Sequence, residues 1–174
     1  MNKFNLKIIT LFGIGYLSKA PGTWASFATC IFYSILIINE VNFALPVILF
    51  FFLLIYSIPL IDKNSSSFKE KDSKEIVIDE FLGQSVPILL GYYFIFRDLH
   101  DFVSCCRRGY GGRGEDLFVL MIVSFLAFRL FDITKPFPIN LIDKKMKNGL
   151  GVVLDDILAG FYAYLFLLIL TELI

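Results

Sequence analysis

The sequence predicts an all-α, membrane-embedded bundle of about four to five apolar helices. Three observations carry that prediction. Hydrophobic residues make up 57% of the 174 and the mean hydropathy is +0.73, more apolar than ordinary soluble domains. The apolar residues fall into stretches that approach the roughly 20 residues a helical span needs. Lipid offers the backbone no hydrogen-bond partners, so such stretches form helices rather than open strands. The competing reading, a soluble all-α bundle of very apolar helices, accounts less well for the longest stretches. The length fits one domain, residues 1–174.

Taken in order, Lys3 and Lys7 precede an apolar run from Ile8 to Leu17 that Gly13 and Gly15 interrupt. No small-residue cleavage site follows, so this run reads as mature protein rather than a signal. Pro21-Gly22 is a turn signal, Thr23 is a candidate N-cap, and Trp24 suits a membrane interface. Ala25 to Ile38 is a short apolar stretch and Phe43 to Ile61 a full-length one. The turn Asn39-Glu40-Val41-Asn42 joins them as a helical hairpin. A polar segment, Asp62 to Glu75, follows. Phe81 to Phe96 is borderline in length, Leu117 to Ile133 is interrupted only by Arg129 and Asp132, and Leu150 to Ile174 by Asp155, Asp156 and Glu172. Arg97 to Asp116 is a polar, glycine-rich link, expected to be a loop without catalytic role.

Alternating crossings place Lys3, Lys7, Lys19, Lys63, Lys69, Lys71, Lys74, Lys135, Lys144, Lys145 and Lys147 on one side. Arg97, Arg107, Arg108 and Arg113 fall on the other. The excess of basic residues makes the lysine-rich side cytoplasmic. A net charge of zero presents no basic face to nucleic acid. Three cysteines without paired spacing indicate neither a disulfide framework nor a zinc site, and the single histidine, His100, argues against His-based metal sites and triads.

Under this topology Asp79, Glu80, Asp132, Asp155 and Asp156 reach similar depth on the cytoplasmic side. Taken singly, each is as well explained by an ion pair or by a helix N-terminus. Together, at membrane depth, they are costly enough to imply a shared purpose. Carboxylate and water ligands suit Mg²⁺. Consecutive Asp155 and Asp156 point about 100° apart on a helix, so one of them is the expected ligand. Glu80 and Gln84 share a helix face at i,i+4, and Arg129 and Asp132 at i,i+3. Basic groups for an anion, acids for a metal and a membrane setting together fit a phosphorylated lipid. The sequence has no Cys-x5-Arg around its cysteines, no Asp-x-Asp pair and no Arg-Pro, which removes the other familiar phosphatase signatures.

Four segments resemble the bacterial phosphatidylglycerophosphatase A family: GIGYLSKAPGTWAS (13–26), IVIDEFLGQ (76–84), FRLFDITKPFPINLID (128–143) and GLGVVLDDILAG (149–160). They stand in family order through most of the chain. The resemblance implies Mg²⁺-dependent hydrolysis of phosphatidylglycerophosphate to phosphatidylglycerol and phosphate by a multi-pass protein of the bacterial inner membrane, its active site facing the cytoplasm. It marks Thr23, Ser26, Asp79, Glu80, Gln84, Arg129, Asp132, Lys135, Pro136, Asp143, Asp155, Asp156 and Gly160 as motif positions. The roles are our own assignment. Asp79, Glu80, Asp132 and Asp156 are expected to hold the metal, directly or through water. Thr23, Ser26, Gln84, Arg129 and Lys135 are expected to bind substrate. Asp132, Lys135 and Asp155 are the expected catalytic residues, with Asp155 protonating the leaving oxygen. The alternative is a small ion-coupled transporter or channel subunit using the same carboxylates, which acids on both sides of the membrane would favour.

Overall fold

The computed structural model describes residues 3–17, 19–64, 74–96 and 113–173. His100, Cys105, Cys106, Lys69 and Lys71, and all but the last four residues of the expected Arg97–Asp116 loop, lie outside the described residues. No strand occurs among the described residues. A short helix α1 (Lys3–Ile9) and a 3-10 segment (Leu11–Tyr16) lead into α2 (Pro21–Ile38). Then come α3 (Ala44–Asn64), α4 (Ile78–Leu90), α5 (Arg113–Thr134), a short α6 (Ile139–Lys145) and α7 (Gly149–Leu173).

Helix α2 starts earlier than the sequence reading expects. Pro21 occupies the first helical position, where its fixed φ is preorganised and its missing N–H costs nothing. Thr23 therefore lies inside the first turn rather than capping it, and Ala20 holds the cap position in a left-handed conformation. The expected hairpin turn is present. Asn39 donates from Nδ2 to the Ile35 carbonyl, and the Asn42 side chain accepts from the Ala44 N–H. Helix α5 likewise begins at Arg113, inside the expected loop.

Four helices, α2, α3, α5 and α7, are long and apolar enough to cross a membrane. Helix α4 is not among them. It has 13 residues and continues through one π-helical stretch, Gly91–Phe96, so the borderline Phe81–Phe96 segment is helical but built differently from a continuous α-helical span. Its role is central instead. Nearly every residue of α4 is buried, because it packs against α7, α2, α5 and α3. Tyr33 of α2 stacks on Phe81 of α4, and Leu82 and Ile88 complete that part of the core.

The tightest of these contacts is between α4 and α7. A Cβ on Gly160 would strike the Gly83 carbonyl oxygen. A Cβ on Gly83 would come within 2.7 Å of both the Asp156 carbonyl oxygen and the Phe128 ring. Small residues at a membrane helix crossing let backbones approach and gain dispersion contacts that lipid cannot supply. The crossing also sets Asp79 and Glu80, in the first turn of α4, against Asp155 and Asp156 of α7. Gly160→Val and Gly83→Val should each destabilise the bundle by about 1–3 kcal/mol through overpacking. Thermal unfolding in detergent followed by circular dichroism checks this; melting temperatures equal to wild type would contradict the contact.

Candidate active site

The site lies at the end of the bundle where α3 and α5 finish and α4 and α7 begin. Helix α5 stops because Pro136 cannot continue it. Lys135 takes up a left-handed conformation, φ 40°, and its N–H bonds the Phe131 carbonyl at 2.9 Å. A non-glycine residue holds such a conformation only where surrounding contacts enforce it. Here the contacts are ionic. The Lys135 ammonium donates to Asp155 Oδ2 at 2.6 Å and to Asp143 Oδ1 at 2.8 Å, joining α5, α6 and α7. Asp143 is therefore structural to the site, although it lies on a different element from the other acids.

Asp79, Glu80 and Asp156 each offer a carboxylate oxygen, and the three oxygens lie within 4.8 Å of one another. Asp79 and Asp156 are buried, 7% and 5% exposed. The Glu80 carboxylate lies against Gly22 in the first turn of α2, so closely that any Cβ there would collide with Glu80 Oε1. The positive end of a helix favours a negative charge at that position. The glycine of the Ala-Pro-Gly-Thr segment thus makes room for an acid from α4, a role the linear sequence did not show.

These acids open onto a cavity of about 500 Å³, lined by Asp79, Glu80, Asp132, Lys135, Asp143, Met146, Lys147, Gly151, Val152, Asp155 and Asp156. It gathers six expected site residues: Asp79, Glu80, Asp132, Lys135, Asp155 and Asp156. The other four stand off its wall. Thr23 is in the first turn of α2, and the Ser26 hydroxyl donates to the Gly22 carbonyl at 3.0 Å. Gln84 is fully buried one turn beyond Glu80, with neither amide atom paired among the described residues. Arg129 Nη1 lies 2.7 Å from Asp132 Oδ2, an ion pair by distance whose angle is not that of an N–H bond. Lys147 and Met146 line the cavity without having been expected, since they fall between two motif segments.

The acids fit a divalent cation. Three close carboxylates repel one another and lose hydration on burial, and a cation relieves both. Glu80 Oε2 and Asp155 Oδ1 are buried without a hydrogen-bond partner among the described residues. An all-oxygen donor set suits a hard cation.

The Lys135–Asp143 pair is electrostatically tuned. The hydrogen bond from Lys135 holds the Asp143 carboxyl below its usual range, against a smaller opposing effect of burial. Burial disfavours the Lys135 charge, but the hydrogen bonds to Asp143 and Asp155 outweigh it and raise the ammonium above the ordinary lysine value.

The profile of the phosphatidylglycerophosphatase A family matches residues 7–171. The chain belongs to this family. Phosphatidylglycerophosphatase A of Haemophilus influenzae is 34% identical over 154 residues, covering 87% of this chain and 79% of the relative. Its Escherichia coli namesake is 25% identical over 150 residues, covering 86% and 73% respectively. A Bacteroides thetaiotaomicron protein with the provisional name phosphatidylinositol-3-phosphatase is 30% identical over 167 residues, covering 90% and 86%. No solved structure matches the chain. Family membership makes the chain a phosphatase, and its four apolar helices make it a membrane one.

The tuned pair has a consequence for stability against pH. Asp143 has a lowered pKa, so its stabilisation is complete above the ordinary carboxyl value of about 3.9 and lost as pH falls through the lowered one. Lys135 has a raised pKa, so its stabilisation is complete below about 10.4 and lost only as pH rises through the raised value. Asp143→Asn should therefore cost about 1 kcal/mol, as partly exposed pairs do. The gap to wild type should be flat across about pH 5–9 and close below about pH 4. Detergent unfolding curves measured across pH check this, and a gap that widens in acid would contradict it.

Proposed function

We propose that this protein removes the terminal phosphate of phosphatidylglycerophosphate, giving phosphatidylglycerol and inorganic phosphate, with Mg²⁺ as its metal. The observation that carries this reading is the trio of Asp79, Glu80 and Asp156 on the wall of a cavity shared with Lys135 and Asp155. The names of the relatives point the same way, each describing a phosphatase of a phospholipid headgroup. We further infer that the site faces the cytoplasm at the bacterial inner membrane, from the excess of lysines flanking this end of the bundle.

In this reading Asp79, Glu80 and Asp156 would hold the cation, and Asp132 lines the same cavity wall. The cation supplies positive charge to the phosphoryl oxygens, where most of the catalysis of phosphoryl transfer resides. Water attacks phosphorus, the bond from phosphorus to the glycerol oxygen breaks, and that oxygen takes a proton. Asp155 is placed to move that proton. Its Oδ2 is anchored by Lys135 and its Oδ1 has no partner among the described residues. Lys135 then acts by orienting Asp155 rather than by gripping phosphate. Arg129 does the same for Asp132.

The reading favours an enzyme over an ion-coupled transporter. The acids sit at one end of the bundle, whereas a conduction path needs polar groups along the spans. The test is phosphate release from phosphatidylglycerophosphate by purified protein, with Mg²⁺ and then with chelator. Activity should vanish on chelation and return with Mg²⁺; activity indifferent to chelation would reject the metal. Glu80→Gln and Asp156→Asn should each lower turnover more than about 100-fold, beyond the 10–100-fold that outer partners of a metal site cost. Their melting profiles should remain cooperative, and wild-type rates in both would overturn the ligand assignment.

A further inference from the structure

Cationic groups near the cavity are mostly committed to the protein's own acids. Arg129 is paired with Asp132, and Lys135 is shared by Asp143 and Asp155. The first turn of α2 carries the Glu80 carboxylate at Gly22. The start of α7 is also taken. Its Gly149 N–H donates to Asp62 Oδ1 at 2.7 Å, and its Gly151 N–H to Asn148 Oδ1 at 2.9 Å. An anionic substrate therefore finds Lys135 and the first turns of α2 and α7 occupied, and Arg129 lies off the cavity wall.

Lys147 differs from all of these. It lies on the link between α6 and α7, it is exposed, and it lines the cavity. It makes no ion pair within contact distance among the described residues, and acts on Asp143 only through its longer-range field. Its neighbours Lys144 and Lys145 are exposed as well but are not part of the cavity wall.

We propose that Lys147 is the headgroup-selecting residue, binding the phosphodiester that links the lipid's glycerol headgroup to its diacylglycerol. This rests on the lipid-phosphatase reading above. The reacting phosphate has to reach the buried acids Asp79, Asp155 and Asp156. The second phosphate of the same headgroup, separated from it by the glycerol, remains at the exposed mouth beside Lys147. A lysine there acts as a point charge for phosphate on a flexible stem. It is a binding residue and takes no part in bond breaking.

The two products separate the two phosphates. Phosphatidylglycerol carries only the diester, and inorganic phosphate represents only the reacting group. Kinetics on phosphatidylglycerophosphate in nonionic micelles, for wild type, K147Q, K147R, K144Q and K145Q, test the assignment. K147Q should raise KM about tenfold, the size of one charge-assisted contact, with kcat within about twofold. Its inhibition constant for phosphatidylglycerol should rise by the same factor, while that for inorganic phosphate stays put. K147R should restore most of the affinity, and K144Q and K145Q should match wild type. A K147Q enzyme with unchanged KM overturns the proposal, as does one in which the inorganic phosphate constant shifts instead. A wild-type protein inactive on the lipid would count against the phosphatase substrate itself, which is a separate outcome.

Discussion

The close crossing of α4 and α7 at Gly83 and Gly160 is the contact on which the site depends. Two helices far apart in sequence approach so nearly that their backbones touch. The first turn of α4 and the second turn of α7 then hold Asp79, Glu80, Asp155 and Asp156 in one small volume. That arrangement is electrostatically unfavourable, because buried acids repel each other and have lost their water. Dispersion along the glycine contact, and burial of almost all of α4, offset the repulsion. The site is thus crowded by charge and held together by packing.

Around this centre the protein balances charge with its own side chains. Lys135 is the pivot, fixing acids from α6 and α7 while the chain turns back at its left-handed backbone. Arg129 holds Asp132 in a similar way one turn earlier on α5. Lys135 and Arg129, which look like substrate ligands in the sequence, are thereby ion-paired with the protein's own acids. Asp62, at the end of α3, anchors the first N–H of α7 and so ties a further span to the helix that carries Asp155 and Asp156. Backbone and side-chain contacts together determine where the acids point.

Several sequence expectations changed for identifiable reasons. Thr23 looked like an N-cap because threonine favours that position, but with Pro21 at the first helical position the cap falls three residues sooner, at Ala20. Phe81 to Phe96 looked like a marginal span by apolarity alone. In the bundle the same apolarity serves burial among protein helices, and the segment changes from α to π geometry at Gly91. Ser26 bonds back to Gly22, as hydroxyls inside helices often do, and so does not reach the cavity. Lys147 was overlooked because nothing in its local sequence sets it apart from Lys144 and Lys145. Only the fold of the α6–α7 link places one of the three on the cavity wall.

The sequence alone determined the helical, membrane-embedded class, the family and most of the acidic residues of the site. Hydrophobic stretches of span length and ionisable groups inside them are local signals, and lipid penalises every alternative strongly enough to make them decisive. What the tertiary structure decided is which groups meet. It set Glu80 against Gly22, committed Lys135 to two acids, kept Gln84 and Ser26 off the cavity and left Lys147 open at its mouth. Those outcomes follow from helix crossings and chain reversals between residues distant in sequence. Spacing along a single helix carries no record of them.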